Sequence, residues 1–201
     1  MKKLPEGWLH DDAARYLKKL VLSTAKLSGD LLEIGSWYGR SSIVIGLKAK
    51  KSGDKLYCID TWNTKSWDTI AQGLPKDRRK YLWEDMDKNP LKTFISNIKA
   101  AGLENVVESL VGSSELFKEI WINPLKFIFI DGCHYYDFVR EDAKWKEFLV
   151  VGGIIAFHDY TSGAWKDVKV AVDDEMDIDN RFEGIGEAQS IKAFMCRSKL
   201  Q

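Results

Sequence analysis

Apolar residues along the chain change spacing repeatedly, and each change predicts an element. Ala14, Leu17, Leu20 and Val21 fall at helical intervals behind Asp11 or Asp12, either of which can cap a helix that ends near Gly29. Leu31 to Gly35 is a short apolar run entering a glycine turn, and Ser41 to Lys51 reads as a helix with lysines at its negative end. The alternation continues with a strand over Lys55–Asp60, a helix over Pro90–Ala101 with proline in its first turn, and a third strand over Val106–Val111. A short helix over Ser114–Ile120 then precedes Lys126–Asp131, whose unbroken apolar run suits a strand buried on both faces of a parallel sheet. A helix over Asp137–Leu149, a strand over Gly153–Phe157 and a helix over Trp165–Met176 follow. Phe182–Ile185 and Ile191–Cys196 flank a Gly-Glu-Ala-Gln-Ser turn, which predicts a terminal antiparallel hairpin.

The fold class expected is therefore α/β: a doubly wound, Rossmann-like sheet, mostly parallel, closed by a C-terminal antiparallel hairpin. With 201 residues the chain suits one domain spanning 1–201, in which 1–29 is a helical lead. Residues 62–89 break the alternation with tryptophans and dense charge, and are expected to form an insertion over the active site, partly helical around Arg78–Met86.

Charge narrows the partners. Thirty basic residues balance thirty acidic ones, so no overall field favours nucleic acid or an anionic membrane, and a small molecule fits better. Three scattered cysteines form neither a disulfide framework nor a CxxC metal site; reduced thiols, together with no signal-like or membrane-spanning apolar run, point to a cytoplasmic protein.

Two constellations carry candidate chemistry. The first is Glu33-Ile-Gly35-Ser36-Trp-Tyr-Gly39-Arg-Ser41, a strand-to-helix loop whose E-x-G-x-x-x-G spacing is neither the dinucleotide fingerprint nor a P-loop. Asp60, at the end of the next strand, is placed to accept both hydroxyls of a ribose, and Ser113 and Ser114 stand after the third strand, where an adenine edge can be reached. Loop acids and serines also serve as helix caps, and glycine loops as plain turns. The second constellation ends two apolar strands: Asp131-Gly-Cys-His134 and His158-Asp159. Neighbouring parallel strands lie about 4.8 Å apart, so Asp131, His158 and Asp159 can surround one ion, Mg²⁺ or a transition metal, or can instead bind one another and cap helices. His134 is placed to act as a general base. Trp37, Trp62 and Trp67 can wall an apolar ligand at the same edge or simply pack the insertion on the sheet; the acidic run Asp173–Asp179 reads as a solvated helix end.

The segments LLEIGSWYGRSS, LYCIDTW and FIFIDGCHYYDFVREDAKWKEFLVVGGIIAFHDY together resemble the class I S-adenosylmethionine-dependent methyltransferases, in the branch of metal-assisted catechol-type and antibiotic-sugar O-methyltransferases. The resemblance implies that Glu33, Gly35, Ser36, Gly39 and Ser41 hold the methionine end of the cofactor, Asp60 its ribose, and Ser113 or Ser114 its adenine surroundings. Asp131 would touch cofactor and metal, and His134 stands where such enzymes place a lysine or histidine base. His158 and Asp159 match paired metal-ligand positions, although an acid is usual where this chain has His158. The implied reaction is methylation of a hydroxyl on a small molecule, with a homodimer as the expected assembly. A metal-dependent oxygenase or hydrolase on the same fold, and a non-catalytic cofactor-binding module, are the competing readings.

Overall fold

The computed structural model describes residues 4–63 and 89–199. Helix α1 (Asp11–Ser23) leads into β1 (Asp30–Ile34), α2 (Arg40–Ser52) and β2 (Leu56–Asp60). After it come α3 (Pro90–Ala100), β3 (Val107–Val111), α4 (Ser114–Lys118), β4 (Leu125–Ile130) and α5 (Tyr136–Ala143). A 3₁₀ turn (Lys144–Phe148), β5 (Leu149–Phe157), α6 (Lys166–Met176) and the hairpin β6 (Phe182–Ala188) and β7 (Ile191–Cys196) complete the order.

These strands make one sheet in the order β3-β2-β1-β4-β5-β7-β6, parallel except where β7 meets β5 and β6. β4 is buried at every position, and its side chains alternate between two cores. Phe127 and Phe129 pack with α1, α2 and α3 on one face, whereas Ile128 and Ile130 pack with α5 and α6 on the other. Burying one such phenylalanine stabilises by about 1.5–3 kcal/mol, so the central strand anchors both layers. The chain steps outward from β1 to β3 and then returns to the other side of β1, which places the reversal of strand order between β1 and β4. No helix among the described residues is long and apolar enough to cross a membrane.

The elements differ from expectation in three places. α1 stops at Ser23 rather than near Gly29, because the Ser23 and Thr24 hydroxyls donate back to Leu20 and Val21 carbonyls and close the last turn. Its N-cap is His10, with Asp11 and Asp12 in the first turn. The helix expected over Asp137–Leu149 ends at Ala143 and tightens into the 3₁₀ turn, with Trp145 fully buried in the core and Leu149 already in the sheet. β5 therefore starts well before Gly153, with the irregular register of its first residues absorbed near Gly152 at φ +85°. In the hairpin, only Gln189 and Ser190 turn, both left-handed as a two-residue connection requires, and β6 runs on to Ala188. The insertion expected over 62–89, its helix around Arg78–Met86 and Trp67 lie outside the described residues, except for 62, 63 and 89.

Candidate functional site

The carboxyl ends of the strands are knit together before any side chain acts. Gly35 donates its N–H to Ile59, Asp131 to Ile34, His158 to Ile130 and Gly112 to Asp60, so each loop's first residue prolongs its neighbour's ladder. Gly35 has φ +86°, and a Cβ there would stand 2.2 Å from the Asp131 carbonyl oxygen. Its lack of a side chain thus serves the approach of a second loop. Gly39, also at φ +86°, caps α2 without a side-chain hydrogen bond, which leaves the first N–H groups of α2 directed at the crevice.

Glu33 lies fully buried beneath this loop. It accepts hydrogen bonds from the Ser42 hydroxyl and, at 3.4 Å, from the Cys58 thiol. Burial pushes its carboxyl up to about 7, against the lowering influence of the hydroxyls of Ser41, Ser42 and Ser36 and of the thiol. Glu33 Oε1 and Ser36 Oγ remain buried without a hydrogen-bond partner among the described residues. Buried polar atoms normally find partners, so two orphans in the strand-to-helix turn before α2 fit a polar ligand end bearing an ammonium and a carboxylate.

Asp60 joins three segments. Its carboxylate accepts the Trp37 N–H at 2.8 Å and the Trp62 N–H at 2.7 Å. Burial raises its pKa, and backbone N–H groups of Trp37, Trp62, Ser36 and Thr61 work in the opposite direction. The two bonds fall on different oxygens, Trp37 on Oδ2 and Trp62 on Oδ1. Trp37 and Trp62 both sit at positive φ, and the Trp62 indole N–H donates to the Trp37 carbonyl at 2.7 Å. Arg40 then fastens the N-terminal lead over the loop, donating to the Leu9 and Pro5 carbonyls at 2.6 and 2.9 Å, while Trp8 rests against Trp37. Ser113 caps α4 through the Leu116 N–H, and Ser114 donates to Asp142. The two serines are thus placed in the β3–α4 connection with structural bonds already made.

The second constellation is a chain of alternating groups. His134 Nε2 lies 2.9 Å from Asp159 Oδ2, that oxygen lies 3.5 Å from His158 Nδ1, and His158 Nδ1 lies 3.0 Å from Asp131 Oδ1. Burial works to lower the His158 pKa, yet Asp131 and Asp159 outweigh it and raise it to about 10. Burial likewise opposes ionisation of Asp159, but His134 and His158 hold it well below the usual carboxylate range. His158, expected as a metal ligand, turns its Nδ1 to Asp131 at 3.0 Å and stands 3.5 Å from Asp159. The atoms that converge within 4.8 Å are those of Asp131, His134 and Asp159. That set holds His134 where the expected one had His158.

Sequence reasoning missed several partners. Trp165 stacks on His134 with centroids 4.7 Å apart and planes 15° apart. Asp142, buried and pushed up to about 7 by desolvation, holds Ser114 from below the Gly132 turn. The acidic run is an ionic network: Glu175 takes Arg140 at 2.7 Å and Asp179 takes Arg181 at 2.8 Å. Its signal was the matching set of arginines and lysines in neighbouring segments, whereas nothing in the spacing of Trp165 marks it as a histidine's neighbour.

A family model described as a methyltransferase domain matches residues 32–160, more than half of the chain and both constellations. Among solved structures, the O-methyltransferase NovP is similar at a TM-score of 0.68 and 18% identity, over 92% of this chain and 79% of that one. An O-methyltransferase from Bacillus cereus in complex with SAH is similar at 0.64 and 18%, over 96% and 84%. CalS11, a TDP-rhamnose 3'-O-methyltransferase, is similar at 0.62 and 12%, over 90% and 77%.

Proposed function

Because the chain belongs to the methyltransferase-domain family, we propose that it moves the methyl group of S-adenosylmethionine onto a hydroxyl of a small molecule, with His134 as general base. The observation that carries this reading is the meeting of two groups at one sheet edge: orphaned polar atoms under the glycine loop, and a hydrogen-bonded histidine in the next loop. O-methyltransferases recur among the similar structures, which supports oxygen as the acceptor.

Glu33, Ser36, Gly39 and Ser41 would hold the methionine end of the cofactor, Asp60 its ribose, and the β3–α4 connection with Ser113 and Ser114 its adenine side. When bound, the cofactor supplies a methyl carbon made electrophilic by its sulfonium. Asp159 holds Nε2 of His134, leaving Nδ1 as the basic atom. On transfer of the methyl group to the acceptor oxygen, the hydroxyl proton would pass to Nδ1, and the ionised Asp159 would stabilise the imidazolium that results. Asp131, hydrogen-bonded to His158, would touch the cofactor. Most of the acceleration comes from alignment of oxygen, carbon and sulfur.

The test is methyl transfer from radiolabelled S-adenosylmethionine to a panel of small hydroxylated acceptors, with calorimetry of cofactor binding beside it. His134→Ala is expected to lose about 10²–10⁴-fold in turnover while binding the cofactor normally. Unchanged turnover in His134→Ala and Asp159→Ala would make the second constellation a bystander. A failure to bind S-adenosylmethionine would remove the whole reading.

A further inference from the structure

We propose that Trp165 is a positioning residue that sets the ring plane of His134, and so the direction in which that base meets the acceptor; this rests on reading His134 as the base. His134 belongs to no regular element, lying in the short loop between β4 and α5. Its Nε2 makes one contact at hydrogen-bond distance, to Asp159, and stands 3.9 Å from Asp131. One hydrogen bond fixes the position of one ring atom. It leaves the ring free to swing about that bond, since the terminal torsion of a histidine has a broad minimum. A flat partner on the ring face removes that freedom, and the Trp165 indole lies there nearly parallel.

The indole can do this because it is itself held. Trp165 donates its backbone N–H to the Ser162 carbonyl and accepts at its own carbonyl from Val168, both at 3.2 Å, which pins it to the start of α6. Val168, Ala171 and Val172 then bury that helix against the sheet. α5, which follows His134, is tied to α6 at two points: Tyr136 donates to Asp174 at 2.7 Å and Arg140 to Glu175 at 2.7 Å. The helix after the base and the helix that begins at its stacking partner are therefore clamped to each other. Trp165 is half-buried: it packs against the core cluster that holds Val168, Ala171 and Val172 and also stacks on the imidazole.

The experiment compares Trp165→Phe and Trp165→Leu in the full chain. The chain has three histidines, so the ring proton–carbon correlations of His10, His134 and His158 can be assigned by single substitutions. In the wild type the His134 ring protons are expected upfield, in the ring current of the indole; Leu should return them to ordinary positions, Phe should keep part of the shift, and His10 should not move. In methyl transfer, Leu should lower kcat by about ten- to a hundredfold with cofactor affinity held within about twofold, and Phe should recover most of it. An unmoved His134 resonance in Trp165→Leu, a wild-type kcat in that variant, or equal losses in Leu and Phe overturns the proposal. If the wild type methylates no acceptor, the proposed function fails, and the resonances alone decide whether the stack orients His134.

Discussion

Replacing His158 with glutamine probes the charge at the centre of the site. Its imidazole, 7% exposed, is raised from an unperturbed 6.5 to about 10 by Asp131 and Asp159. At about 1.4 kcal/mol per unit, that shift corresponds to at most about 5 kcal/mol of folding free energy, and losing one partner of a buried pair costs about 3–5 kcal/mol. The sign follows from the direction: the folded protein holds this proton more tightly than the unfolded chain does. The contribution is complete below the unfolded pKa near 6.5, declines as pH rises, and is gone above about 10. Urea unfolding of the wild type and His158→Gln at several values from about pH 6 to about pH 10 should show a wide gap that narrows with pH. Titrations of lysine and tyrosine elsewhere occur in both proteins and cancel in the difference. A gap that stays constant across the window would refute the claim that His158 is a cation held by two carboxylates.

Gly35→Ala should be severe, since the new Cβ would press on the Asp131 carbonyl from a left-handed backbone; a loss above about 3 kcal/mol, or insoluble protein, is expected in thermal melts. Asp60→Ala should weaken S-adenosylmethionine binding by more than about tenfold in calorimetry, because it removes the ribose acceptor and frees the Trp37 and Trp62 N–H groups; unchanged affinity would place the ribose elsewhere. Chelation of divalent ions should leave turnover within about twofold, since a cationic His158 offsets one of the two carboxylate charges, whereas abolished and metal-restored turnover would make Asp131, His134 and Asp159 ligands.

Much of this architecture was readable from apolar spacing. β4 could be placed in the sheet centre because four successive apolar residues, Phe127–Ile130, present both faces of the strand for cover; Lys126 before them is buried with its ammonium 2.6 Å from Asp54. Boundaries were less readable where hydroxyls or register decide them. Ser23 and Thr24 end α1 by bonding backwards, and the switch to a 3₁₀ turn after Ala143 depends on Trp145 reaching the core, which is a tertiary demand. The site shows the same division. Strand ends marked Asp131, His134, His158 and Asp159 as neighbours and Asp60 as the companion of the glycine loop, but which nitrogen faces which oxygen depends on loop geometry, as with Asp159 at φ +56°. The sequence pattern alone left ion binding and mutual binding as alternatives; the structure adds the 3.0 Å contact between His158 and Asp131 and the convergence of Asp131, His134 and Asp159.

The two constellations looked separate along the chain, almost a hundred residues apart, and their connection is a backbone one. Gly35 lies against Asp131 and Gly132 so closely that a methyl group cannot enter between them. A side-chain contact at that point could yield with a rotamer change; two peptide units held by ladder bonds from Ile59 and Ile34 cannot. The separation between the glycine loop and the histidine loop is therefore set by main-chain geometry, to within the play of a hydrogen bond. In-line transfer tolerates little error in that separation, since about an ångström of misplacement can cost a hundredfold in rate. On this view side chains such as Trp165 and Asp159 control the angle of the base, and the absent Cβ of Gly35 controls its distance.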